Sequence, residues 1–222
     1  MGLSAILAAA IALHGVTIGT SVDGAPIRAV SIGPDAAPRK VLVVGCVHGN
    51  ECAGVAVTRA LRRAPPPPGV QLWVIDRLNP DGAAAGTRQN ARGVDLNRNF
   101  PYGWRAQGTP GSTFFSGARP SSEPETSAAR RLILRIRPAV SIWFHQHMHV
   151  VVRAPGDVAL QRHYGRLTGL PLRDLPPYPG TAVAWQHHAL PASTAFVVEL
   201  GAGTLRTRAV AAHVRAVLSV SE

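Results

Sequence analysis

His48 and Glu51 sit in the run GCVHGNECAG, an imidazole and a carboxylate three residues apart where an apolar strand gives way to a helical pattern. The β-branched run Val41 to Gly45 predicts a buried strand. Glu51 then opens an alanine-rich helical stretch that ends near Arg63, before the prolines Pro65 to Pro68. One nitrogen and one oxygen donor on a single turn can grip a zinc ion from one side. A third ligand from elsewhere leaves a fourth position open for water, and an open position means chemistry. By itself the HxxE spacing more often marks a solvated or hydrogen-bonded pair than a metal site.

Two further groups of residues could do chemistry. Between Asn79 and Thr126 hydrophobic periodicity fades, which predicts long loops of the kind that are usually functional in a compact domain. This stretch holds Asn79-Pro80-Asp81-Gly82, Arg88 and Asp95-Leu96-Asn97-Arg98-Asn99-Phe100. An arginine meets a carboxylate through two parallel charge-assisted hydrogen bonds, and a neighbouring asparagine can add a third contact. A loop stitched together by surface side chains is the alternative. Downstream, Ala139 to Phe144 predicts a buried strand that leads into His145, with His147 and His149 at alternate positions. In an extended segment all three share one face, so periodicity does not choose among them. Glu199 lies at the end of a strand expected over Thr194 to Leu200.

The elements that must position these groups follow from pattern. Val16 to Ile32 alternates apolar and polar residues around Asp23-Gly24, a β-hairpin signal. Val70 to Ile75 is the next strand, and strand, helix, strand at this spacing implies a parallel pair. Ser122-Glu123-Pro124-Glu125 predicts a capping box at the start of a helix running to about Ile136. A helix from about Val158 to Leu167, a proline-rich loop from Pro171 to Pro179 and an amphipathic helix from about Leu205 to Leu218 complete the pattern. With no repeat or linker, 222 residues suit one α/β domain, a mixed, mostly parallel central sheet flanked by helices after an N-terminal β-hairpin.

Charge is lopsided: 23 Lys plus Arg against 12 Asp plus Glu give a formal +11, and every basic residue but Lys40 is arginine. Such a surface steers polyanions inward, whether nucleic acid, anionic lipid or the acidic polymers of a cell wall. The arginines are scattered rather than massed in a basic arm, which argues against a nucleic-acid partner. Leu3 to Leu13 is too short to span a bilayer, so stable membrane insertion is not expected. It suits the core of a secretory signal, with residues 1–14 as leader, 15–222 as the catalytic domain and a secreted, extracytoplasmic location. No basic residue precedes the run, and a buried first strand or helix in a cytoplasmic protein is the other reading. Cys46 and Cys52 bracket the HGNE segment, either as a disulfide stapling it or as two buried thiols.

The order of the pieces is GxHxxE after a strand, NPDG, an arginine, DLNRNF, SEPE, a strand ending in histidine and a strand ending in Phe-x-x-Glu-Leu. It resembles the carboxypeptidase A-like zinc peptidase family. The likeness is strongest to the short bacterial members that cut peptidoglycan peptides, of murein tripeptide amidase or γ-D-glutamyl-diaminopimelate peptidase type. It spans roughly Val16 to Gly203, with GVDLNRNFP as its most specific motif. The resemblance implies a carboxypeptidase A-like fold and one zinc ion held by His48, Glu51 and a strand-terminal histidine. That histidine is assigned to His145, ahead of its rivals His147 and His149, because it directly follows the strand and stands at a family-like distance from Gly156. Iron is the other metal that suits two histidines and a carboxylate.

The resemblance also implies Glu199 as the group that takes a proton from zinc-activated water and returns it to the leaving amine. Arg88, with Arg92 as rival, matches the residue that polarises the scissile carbonyl. Asn97 and Arg98 match the clamp for the substrate's terminal carboxylate, while Asp95 and Asn99 are expected to shape the loop. Val183, two residues before Trp185, matches the pocket residue and offers no acid to a basic side chain. The tyrosine that closes over substrate in larger members has only Tyr178 as a loose match. The expected protein is a secreted, monomeric zinc hydrolase that cuts an amide bond beside a free carboxylate in a peptide or cell-wall peptide. The competing readings are an N-acyl amino acid deacylase of the aspartoacylase-like branch and a non-catalytic, metal-stabilised binding module. Glu199 argues against the latter, since a structural site would close its fourth position with a protein ligand.

Overall fold

A computed structural model describes residues 13–222. Most of the proposed leader lies outside the described residues, although its last two positions, Leu13 and His14, already belong to the first strand. Eight strands form one sheet: β1 (Leu13–Thr20), β2 (Pro26–Ile32), β3 (Arg39–Val44), β4 (Val70–Ile75), β5 (Val140–Gln146), β6 (Val150–Val152), β7 (Leu172–Arg173) and β8 (Thr194–Leu200). Their order is β1-β2-β4-β3-β5-β8-β6-β7. The central run β4-β3-β5-β8 is parallel, and antiparallel pairings occur at β1-β2, β2-β4 and β6-β8. The expected hairpin forms as β1 and β2, and the expected strands β4 and β8 have the predicted bounds.

Strand alternation sorts the core onto the two faces of this sheet. Val41, Val43, Ile142, Phe144, Phe196 and Val198 pack on one side with α1 (Gly54–Leu61), α4 (Val158–Thr168) and α6 (Thr207–Ser221). Leu42, Val44 and Trp143 face the other side, against α3 (Pro124–Ile136), α5 (Ala182–Ala189) and the loop residues Leu96 and Phe100. By the same alternation His145 continues the Trp143 face and Glu199 the Val197 face. The parallel register pairs His145 with Glu199, so the two side chains leave neighbouring strands on one side. The chain reverses its winding between β3 and β5, and ligands in open α/β sheets bind at the carboxyl edge of such a crevice.

Several elements differ from expectation for local reasons. The first helix begins at Gly54 rather than Glu51, because His48 to Glu51 form a turn closed by Glu51 N donating to His48 O (2.9 Å). The irregular stretch after Asn79 contains α2 (Pro80–Ala85), whose N-terminus is capped by the Asn79 side chain accepting from Gly82 N (2.9 Å), and a 3-10 turn over Leu96–Arg98. The capping box does not form. Ser122 Oγ instead donates to Glu123 Oε1 (2.6 Å), and Glu123 occupies the N-cap without a side-chain cap bond. The short strands β6 and β7 and helix α5 carry too few patterned residues to stand out in sequence. Among the described residues no helix is long and apolar enough to cross a membrane.

Candidate active site

The loop after β3 and the end of β5 bring His48, Glu51 and His145 together in the buried crevice. His48 Nδ1 lies 2.9 Å from Glu51 Oε2 and 3.2 Å from His145 Nδ1, and His145 Nδ1 lies 3.1 Å from the same carboxylate oxygen. A tetrahedral zinc ion with bonds of about 2.0–2.1 Å spaces its ligands about 3.3 Å apart, so these three atoms already stand close to one face of that polyhedron. The donor set of two imidazole nitrogens and one carboxylate oxygen fits zinc. His145 Nε2 and Glu199 Oε2 are buried without a hydrogen-bond partner, a condition that costs about 1–3 kcal/mol per group.

Backbone packing fixes the metal loop. Leu78 N donates to Cys46 O (2.9 Å), which lays the start of the α2 turn against it. Gly49 is required there, since a Cβ would collide with the Gly82 backbone. The sulfurs of Cys46 and Cys52 are bonded, with Cα atoms 4.6 Å apart, so a covalent bridge brackets His48 and Glu51. His147 and His149, the rivals of His145, are exposed and outside the cluster. The strand ends at Gln146 and His149 has φ +58°, so the alternation that would have placed all three on one face is broken.

A carboxylate that the sequence reading gave only to loop shape orients the first ligand. Asp95 is fully buried, and its Oδ1 accepts from His48 Nε2 (2.8 Å) and Asn97 N (2.9 Å). With Nε2 committed to Asp95, His48 Nδ1 faces the cluster, and its lone pair would be available to a metal once the proton it shares with Glu51 is released. Burial works against the charged forms of His48, Glu51 and Asp95, but their mutual attraction wins. His48 is pushed up by Asp95, Asp95 is held well below the usual carboxylate range by His48 and Arg88, and Glu51 is lowered by its hydrogen bonds from His145 and His48. Burial lowers His145 and keeps it neutral, the form a metal ligand needs. No position in the sequence advertises the Asp95 contact, because it joins residues 47 apart.

Arg88 lies beside these groups, its Nε and one terminal nitrogen donating to Asp95 Oδ2 (3.1 and 3.0 Å) and the other to Glu51 Oε1. Three of its N–H groups are thus engaged, leaving about two of a guanidinium's five for another acceptor. Arg92 turns away toward Glu123, 3.8 Å distant. Arg98 is buried, donates to Asn97 O (2.7 Å) and lies against the rings of Tyr178 and Phe114, 4.3 and 5.1 Å from its guanidinium carbon, the two rings stacking on each other at 5.7 Å. Burial lowers its pKa, its Nε has no partner, and no carboxylate pairs with it among the described residues. A buried cation with no carboxylate in direct contact can receive an anion. Asn97 spends its Oδ1 on Ala182 N (2.9 Å), which leaves its amide N–H groups free and brings the loop to the helix that carries Val183. Asn99 serves the loop alone, bonding Ser116, Arg119, Ser122 and Glu123. The loosely matched Tyr178 thus gains a definite place, over Arg98.

A family model described as zinc carboxypeptidase matches residues 69–168. Murein peptide amidase A of Escherichia coli (strain K12) is 33% identical over 180 residues, covering 75% of this chain and 74% of that protein. Murein peptide amidase A of Vibrio campbellii (strain ATCC BAA-1116) is 31% identical over 190 residues, 80% of this chain and 76% of that one. Among solved structures, the murein-tripeptide amidase of Escherichia coli O157 matches with a TM-score of 0.76 and 26% identity, covering 96% of this chain and 93% of the other.

Proposed function

This chain belongs to the zinc carboxypeptidase family and is a metallopeptidase-type hydrolase, and on that premise we propose that it cleaves the amide bond beside a free carboxylate in peptides of the peptidoglycan stem class. The observation that carries the reading is the meeting of His48, Glu51 and His145, one strand away from Glu199. A zinc ion held by those three supplies Lewis-acid chemistry, polarising a carbonyl and acidifying water.

The chain's own residues divide the remaining work. Glu199 takes a proton on its carboxylate from the attacking water and passes it to the leaving amine, so the acid made in the first step is the donor in the second. Arg88 offers its spare N–H groups to the carbonyl oxygen as that oxygen gains charge, where burial strengthens the interaction. Arg98 and the free amide of Asn97 hold the substrate carboxylate and set which bond faces Glu199. Val183 lines the pocket with an apolar surface that favours no basic side chain. The names of the two curated relatives and the +11 charge, suited to an acidic polymer, support the cell-wall class. The bonded Cys46 and Cys52 support work outside the cytoplasm, where disulfides persist. Every group named comes from one chain, so a monomer suffices.

The test is a panel offered to zinc-loaded protein: a γ-D-glutamyl-diaminopimelate peptide, an ordinary peptide and an N-acyl amino acid, each with its carboxylate free or amidated. The cell-wall peptide should be cut fastest, and amidation should lower kcat/KM by about 10²-fold or more, because it leaves Arg98 unpaired. Preference for the acyl amino acid would move the protein to the deacylase branch. Inertness toward all three would reject hydrolysis beside a carboxylate.

A further inference from the structure

Gln146, the residue after the third ligand, joins the segment that carries Glu51 to the segment that follows Glu199. Its side-chain Oε1 accepts from Ala53 N (2.9 Å), two residues beyond Glu51, at the N-cap of α1. Its Nε2 donates to Gly201 O (3.0 Å) and Gly203 O (2.9 Å), in the segment that leaves β8 just after Glu199. Its backbone N donates to Glu51 Oε2 (3.3 Å). One accepted bond and two donated bonds use the amide's carbonyl and both of its N–H groups, so the side chain has a single satisfying orientation. Register places Gln146 opposite Leu200 and His145 opposite Glu199, so the tie crosses from β5 to β8 one step beyond the reacting groups.

We propose that Gln146 is a positioning residue that fixes the separation between the metal ligands and the Glu199 carboxylate. The inference rests on the hydrolase reading above. Among the described residues no other hydrogen bond joins the metal loop to the β8 exit, and the sheet ladder holds the backbone of Glu199 but not the chain beyond Leu200. Removing the amide frees the Gly201 to Gly203 segment to move, and Glu199 with it. A bystander that merely satisfied three backbone groups would affect stability and leave the reacting geometry in place.

Two substitutions separate these roles. Gln146→Met keeps the size and removes all three side-chain bonds. Gln146→Glu keeps the acceptor for Ala53 N but sets a carboxylate oxygen against the Gly201 and Gly203 carbonyls. Both variants should keep one zinc per chain and unfold cooperatively, with kcat lowered roughly 10- to 100-fold and KM within about twofold of wild type. Crystal structures of the zinc-loaded proteins should show the Glu199 carboxylate displaced by about 1 Å from its wild-type place. That structural readout needs no turnover, so it tests Gln146 even if the substrate panel proves inert, which would count against the hydrolase reading instead. Unchanged kcat with Glu199 in place overturns the proposal. Loss of zinc in step with loss of rate overturns it too, since Gln146 would then serve the metal loop. If one variant fails to fold the other is read alone, and failure of both makes Gln146 a fold-holding residue and ends the idea.

Discussion

Asp95 shows how one buried side chain can set the chemistry of several others. Its two oxygens divide their work, Oδ1 toward His48 and Asn97 N, Oδ2 toward two nitrogens of Arg88. Asp95→Asn keeps the shape, but its NH₂ must point at N–H donors on one side or the other. Either His48 then loses its orienting acceptor or Arg88 loses the acceptor that positions it. Zinc affinity, read by competition with a chelator, should fall about 10- to 100-fold while the fold survives. Affinity equal to wild type would mean that Asp95 only shapes its loop. The sequence made the ligand pair His48 and Glu51 legible because both lie on one turn. It left Asp95 half-read, because a hydrogen bond to a distant histidine leaves no local spacing.

At the scale of elements, the long irregular segment that carries Asn97 and Arg98 is anchored in the core by Phe100. Phe100 is buried, crosses Trp143 edge-on at 6.0 Å and lies 5.6 Å from Trp185, and its backbone N donates to Gly180 O (2.9 Å). Gly180 has φ +66°, and a Cβ there would collide with the Arg98 carbonyl, so loop and α5 approach backbone to backbone. Phe100→Ala should destabilise the protein by about 3–5 kcal/mol in urea unfolding. It should also raise KM by roughly an order of magnitude with a smaller change in kcat, since the clamp at Asn97 and Arg98 loosens while the metal side stays put. A variant that lost stability with KM unchanged would show that the clamp does not depend on this anchor. The hairpin, β4 and β8 were legible because period-two alternation or a compact β-branched run identified them. Helix α5 was not, for its residues Ala182–Ala189 are apolar on no consistent face, and the Ser122 box failed because Ser122 found a carboxylate partner next door.

For the whole molecule, the face of the sheet opposite the site contains a buried histidine that links fold stability to pH. His213 on α6 accepts from the Tyr164 hydroxyl (2.7 Å) and meets Phe144 edge-on, and burial, with His149 adding a like charge, lowers its pKa to about 4. The unfolded chain, with a histidine pKa near 6.5, binds more protons than the native protein between those values. Stability is therefore full above about pH 6.5 and is lost as pH falls through 4, by up to about 3 kcal/mol. His213→Gln, which keeps an acceptor for Tyr164, should flatten that part of the unfolding profile, and an unchanged slope would assign the acid sensitivity elsewhere. The single-domain α/β architecture followed from the alternation of strand and helix patterns, whereas the placing of a reactive cluster at the carboxyl edge between β3 and β5 required the strand order. The most direct test of the whole account is the zinc content of purified wild type, His145→Ala and His147→Ala. We predict about one zinc per chain in wild type and in His147→Ala, and loss of the metal in His145→Ala. Zinc retained without His145, or lost without His147, would contradict the site on which everything else is built.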